Sequence, residues 1–93
     1  MQKELIHITD PKIIKILKKS FTKRILDSFE KDPKTAGQIA NSISFPKEKI
    51  YYHIKNLVKL DILFIASTEM VKGIEQKLYL PTHKQFVIKN EKQ

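Results

Sequence analysis

The chain contains no cysteine, one arginine, two glycines and no long apolar run. The lack of cysteine excludes disulfides, thiolate metal sites and a cysteine nucleophile, and it suits a reducing compartment. With only Gly37 and Gly73 present, there is no glycine-rich loop to cradle a phosphate. No segment approaches the roughly 18 consecutive apolar residues of a membrane-spanning helix, and the opening MQKELIHITD has no hydrophobic region of the signal-peptide kind. The expectation is a soluble, cytoplasmic protein that is not exported. Acidic residues are also in the minority, since 10 Asp and Glu face 18 Lys and Arg for a formal charge of +8. Nucleic acid, an anionic membrane and an acidic protein are the partners that such an excess suits. Because Arg24 is the one arginine, lysine carries nearly all of this charge, and lysine is a mobile point charge without the planar two-bond grip of guanidinium on guanine. Attraction to phosphate should therefore dominate affinity.

What is present suffices for one small domain over residues 1–93, with an ordered core over 10–88. A chain of this length buries about two thirds of its unfolded surface. Leu5, Ile6 and Ile8 make a short apolar lead-in, read as extended, that stops at Asp10-Pro11. That pair is a helix start: Asp10 accepts from free backbone N–H groups, and Pro11 at the first helical position has no N–H to leave unpaired. Ile13, Ile14, Ile16 and Leu17 give this helix a wide apolar face, and Lys18 and Lys19 suit its C-terminal end. A second helix is expected from Ser20 or Phe21 to about Lys31, with Phe21, Ile25, Leu26 and Phe29 inward and Asp32-Pro33 as its stop. Thr35 and Gln38 form a T-x-x-Q capping box for a third, short helix with Ala36, Ile39, Ala40 and Ile43 on one side. Its alanines let another helix cross closely.

Residues 45–60, FPKEKIYYHIKNLVKL, divide into two faces at about 100° per residue. Ile50, Ile54 and Leu57 share one stripe with His53 at its edge, while Glu48, Tyr52, Lys55 and Lys59 point the other way. One face can be buried, and the other is cationic and aromatic, which suits a phosphate-lined groove. Two short helices joined through a tight connection at 43–46 form the helix-turn-helix arrangement. The second of them should end at Leu60 or Asp61, since aspartate tolerates the left-handed conformation used to leave a helix. Residues 62–68, ILFIAST, then read as a strand with both parities apolar. A turn centred on Lys72-Gly73 leads to a second strand over 76–80, with Leu78 and Leu80 on one face and Lys77 and Tyr79 on the other. That is a β-hairpin with a polar tip, ended by Pro81. Thr82 either caps a last helical turn or begins an extended tail through Phe86, Val87 and Ile88, and residues 89–93 are expected to fray.

In this order of elements, the string Ile50-Tyr51-Tyr52-His53-Ile54-Lys55-Asn56-Leu57 closely resembles the recognition helix of the ArsR-like bacterial and archaeal transcription regulators. Arg24-Ile25-Leu26, Ile39-Ala40 and Gly73-Ile74-Glu75-Gln76-Lys77-Leu78-Tyr79 extend the likeness over about residues 10–88, the last resembling the G-I-x-E-K-x-Y hairpin of one branch. The resemblance implies an α+β, mainly α fold: a winged helix-turn-helix with three helices plus a two-stranded β-hairpin wing. It also implies a homodimeric, sequence-specific double-stranded DNA-binding protein, a transcription regulator. In that reading the 46–60 helix enters the major groove and the wing follows the adjacent backbone or minor groove. Pro46 departs from the capping serine common in such proteins, Asp61 stands where glycine is frequent, and the cysteine ligands of the metal-sensing members are absent. The branch with this hairpin often continues into a larger C-terminal region. The 93 residues are therefore expected to be either a compact regulator or the DNA-binding piece of a longer one.

The expected DNA contacts are Lys47, Lys49, Tyr51, Tyr52 and Lys55 on the reading helix, Lys34 and Thr35 before it, and Lys72 and Lys77 on the hairpin. Lysines take phosphates or a guanine edge, and a tyrosine ring packs against a thymine methyl or donates its hydroxyl to phosphate. Lys34 and Thr35 stand at a helix start, where backbone N–H groups meet phosphate. Glu48 either accepts from a cytosine amino group or stabilises the positive end of the reading helix, and the second role is favoured. A dimer surface is expected from Ile13, Ile14 and Leu17 with Phe86, residues that equally suit the monomer core. His7, His53 and His83 lack a chelating spacing, so no metal or other cofactor is expected, and His53 reads as a packed, hydrogen-bonded core residue. No paired carboxylates or Ser/His/Asp set points to an enzyme. The alternative is an interaction module whose basic face meets an acidic protein or RNA without reading base sequence. A membrane-surface role fits less well, because the cationic helix is short of exposed aromatics.

Overall fold

A computed structural model describes residues 1–89 of the chain. The elements run β1 (Lys3–Ile8), α1 (Pro11–Leu17), α2 (Ser20–Ser28), β2 (Lys34–Thr35), α3 (Ala36–Ser42), α4 (Lys47–Lys59), β3 (Leu63–Val71), β4 (Ile74–Pro81) and β5 (His83–Ile88). The expected fold of three helices and a two-stranded wing is thereby corrected. Among the described residues there are four helices and five strands, 40% helix and 35% strand, with the strands in two sheets. Lys19, extended at ψ 134°, divides α1 from α2 where the local sequence already separates two helices, so the three helices implied by the resemblance leave one of the four out. The added strands come from long-range pairing. β1 and β5 form a parallel ribbon running from Lys3 opposite His83 to Ile8 opposite Ile88, and β2 adds to the hairpin to give the order β2-β4-β3. The segment after Thr82 is thus extended, and of the tail expected to fray only Lys89 lies within the described residues.

Local chemistry accounts for most element ends. The Asp10 carboxylate accepts from the Lys12 N–H at 2.9 Å, with Pro11 at the first helical position. The second helix stops at Ser28, short of the expected Lys31, and Glu30 beyond it is left-handed with φ 57°. Both halves of the capping box form: the Gln38 N–H donates to the Thr35 hydroxyl at 3.2 Å, and the Thr35 N–H donates to the Gln38 side-chain oxygen at 2.9 Å. Asp61, at φ 63°, carries the chain out of α4 in the conformation that its side chain tolerates.

Ile25, Phe29, Ile39, Ile50, Ile54, Ile62 and Leu63 are fully buried, each worth about 1.5–3 kcal/mol in transfer from water. The hairpin projects from this core. Val71 pairs with Ile74 across Lys72 (φ 52°) and Gly73 (φ 78°), the two positive angles of a type I′ turn. Nine residues of β3 at about 3.3 Å each make an arm of about 30 Å, in a molecule measuring 53 × 27 × 21 Å. A bulge between Ile65 and Ser67 separates its inner and outer halves. The expected polar tip is also corrected: Met70 is 69% exposed and Ile74 65%, with Val71 beside them. So far from the core, no inward face exists to cover these side chains.

Candidate nucleic-acid interface

The α3–α4 corner is built from one left-handed residue and two hydrogen bonds. Ser44 turns the chain with φ 56°. The Phe45 N–H donates to the Ala40 carbonyl at 2.9 Å. The Arg24 guanidinium donates to the Ile43 carbonyl at 2.6 Å. α4 then starts at Lys47 with no side-chain cap, because Pro46 has none to offer, and Glu48 is the acidic residue in its first turn.

Burial divides α4 as its periodicity predicts. Ile50, Ile54 and Leu57 are buried, whereas Lys47, Glu48, Lys49, Tyr51, Tyr52, Lys55 and Lys59 are exposed. Tyr52 is 73% exposed and Tyr51 44%, in the order expected from their distance to the apolar stripe. The Lys55 ammonium lies 5.9 Å from the Tyr51 ring centre, one helical turn away, a cation–π contact worth about 0.5–1 kcal/mol on a surface. Burial first, and then the charge of Tyr51, push the Tyr79 hydroxyl above its ordinary pKa of 10.0. The stem of Lys47 lies across Gly37, within 3.6 Å of where a Cβ would stand, so its cation sits beside the first turn of α3.

The other expected contacts are placed unevenly. Lys34 is half-buried in β2, opposite Tyr79. Thr35 is buried, and both its hydroxyl and its N–H are used by Gln38 in the expected capping box, which leaves neither group for the phosphate contact also expected of it. Lys72 at the turn and Lys77 on β4 are exposed, but Glu69 and Glu75 share the same arm. The arm therefore carries no net charge from these four groups, and the cationic face belongs to α4.

Leu17, expected on a dimer surface, is 5% exposed and belongs to the monomer's own core. Ile13, Ile14 and Phe86 are half-buried against that core. Leu17 and Phe86 line an open cleft of about 910 Å³ between α2 and β5. His7 lies on β1, His53 on α4 and His83 on β5. His53 is exposed, not a hydrogen-bonded core residue; its ring stands edge-on to Phe21 at 4.7 Å and to Tyr52 at 5.9 Å. His83 is buried, with Nδ1 3.0 Å from the Thr82 hydroxyl. Among the described residues no three of His, Cys, Asp and Glu are grouped to hold a metal ion.

Two residues important to the site were missed in the sequence. Arg24 entered only as part of a family string, and nothing local shows that it reaches Ile43. Tyr79 was assigned to a face, but alternation alone does not say which face is inward. No helix among the described residues is long and apolar enough to cross a membrane. No known protein-family model matches the chain, and no curated protein matches it.

Proposed function

We propose that the chain is a cytoplasmic transcription regulator, of the ArsR-like kind that residues 50–57 resemble, binding double-stranded DNA through α4 as a homodimer. One observation carries the reading: Tyr52, Lys55 and Lys59 stand exposed on the face of a 13-residue helix opposite its buried stripe, with Glu48 the acidic residue among them and Lys47 and Lys49 exposed to either side in the first turn. The lysines neutralise phosphates, and Tyr52, with Tyr51 behind it, meets base edges. With α4 in the major groove, the hairpin reaches the adjacent backbone or minor groove. Two copies set their reading helices about one DNA turn apart, over a surface drawn from Ile13, Ile14 and Phe86.

The apolar, charge-balanced hairpin tip favours a second reading, in which the domain binds an acidic protein and buries Met70 and Ile74 there. Selection from a random duplex pool separates the two. Enrichment of a motif supports the regulator. A pool that stays random after repeated rounds overturns it in favour of the interaction module.

A further inference from the structure

A cleft of about 350 Å³ opens where α1 meets α2, beside α4. Its size lies in the range of small-ligand sites, about 300–1,000 Å³. Phe21, Phe45 and His53 wall it. Their ring centres are 4.6 Å apart for Phe21–Phe45, 4.7 Å for Phe21–His53 and 6.2 Å for Phe45–His53, with interplanar angles of 55°, 62° and 69°. Rings set at such angles present edges and faces together, which is how a further planar ring joins an aromatic cluster. Below them, buried Ile25 and Leu57 supply an apolar floor.

The polar groups of the cleft include several at the start of α2. The cap residue Lys19 gives no side-chain acceptor to this nine-residue helix, and its first turn holds no acidic residue. Its leading N–H groups carry the positive end of the helix dipole. Thr22 lines the same cleft at 5% exposure, and its hydroxyl has no hydrogen-bond partner among the described residues. Lys19 itself adds a cation at the rim. Residues from the start of α2, Thr22 and the Lys19 cation thus line the same cleft as the three rings, and no Asp or Glu lines it.

We infer that this cleft binds a small planar aromatic carboxylate, its ring among Phe21, Phe45 and His53 and its carboxylate at the start of α2 beside Thr22 and Lys19. The carboxylate supplies the acceptor that α2 lacks, and the ring supplies the apolar area. An aliphatic acid or an inorganic anion meets only the first requirement. The binding stands on the cleft alone and does not depend on the DNA reading, although Phe45 leads into α4 and His53 lies on it.

The test is an amide-resolved NMR titration of the whole chain with benzoate as the probe, run beside acetate and benzyl alcohol. Benzoate is expected to give saturable shifts at Ser20, Phe21, Thr22 and His53, and acetate to bind about tenfold more weakly or less. Lys19→Gln, at an exposed position, is expected to weaken benzoate about threefold and to leave benzyl alcohol unchanged. Shifts that do not saturate, that acetate reproduces at equal concentration, or that centre on the lysines of α4 would overturn the proposal.

Discussion

Arg24 of α2 donates a hydrogen bond of 2.6 Å to the carbonyl of Ile43, 19 positions later, where α3 gives way to α4. Ile43 is the C-cap residue of α3, so its carbonyl has no donor within the helix. One side chain from α2 therefore fixes the corner that aims the cationic helix.

Replacing that side chain should loosen the corner. Arg24→Met is expected to lower stability by about 0.5–1.5 kcal/mol, since Arg24 is exposed and water replaces part of what the bond contributes. Urea unfolding measures it. Duplex binding should weaken further than the lost charge alone explains.

Lys55 and Tyr52 should fail differently. Lys55→Ala is expected to reduce the slope of log affinity against log salt by about one unit. Tyr52→Ala should leave that slope unchanged and alter which duplexes are preferred. If both variants changed only the slope, base reading by α4 would be refuted.

Thr35 is a capping residue in this fold, so Thr35→Ala should cost about 1 kcal/mol of stability. The salt slope of DNA binding should not move. Thermal unfolding and salt titration of the same variant check both halves.

Asp61 holds φ 63°, a conformation that aspartate tolerates and that glycine adopts at lower cost. Asp61→Gly is expected to stabilise the fold by about 0.5–1 kcal/mol, the relief of a left-handed residue less the added freedom of the unfolded chain. A rise in melting temperature of about 4 °C would register it.

The Tyr79 hydroxyl has its pKa raised above 10.0 by burial and by Tyr51, so the fold favours its protonated form. That contribution is complete below pH 10.0. It is lost as pH rises through the raised value, because there the unfolded chain releases the proton first. Urea unfolding from about pH 9 to about pH 11 should show a decline that Tyr79→Phe removes. Tyr51→Phe should lower the Tyr79 titration midpoint, followed by tyrosinate absorbance.

Legibility followed range. The caps at Asp10 and Thr35, the exit at Asp61, the Lys72-Gly73 turn and the two faces of α4 each depend on residues within about one turn of each other. All could be read from spacing. The exposure of Met70 and Ile74 could not, because a strand's pattern does not say how far it extends beyond the core. Nor could the buried face of β4, where Tyr79 goes inward while Leu78 and Leu80 are half-buried.

By itself the sequence determined the cationic outer face of α4, the apolar stripe behind it and the local signals that start and stop most helices, since side-chain periodicity and caps are properties of neighbouring residues. Tertiary structure alone decided the β1–β5 ribbon, which pairs residues some 80 apart, and the third strand beside the hairpin. It also decided the Arg24–Ile43 contact, the burial of Leu17 and the cleft between Phe21, Phe45 and His53. Each of these brings together groups from distant parts of the chain, where hydrogen-bond satisfaction and packing rather than local propensity select the partner.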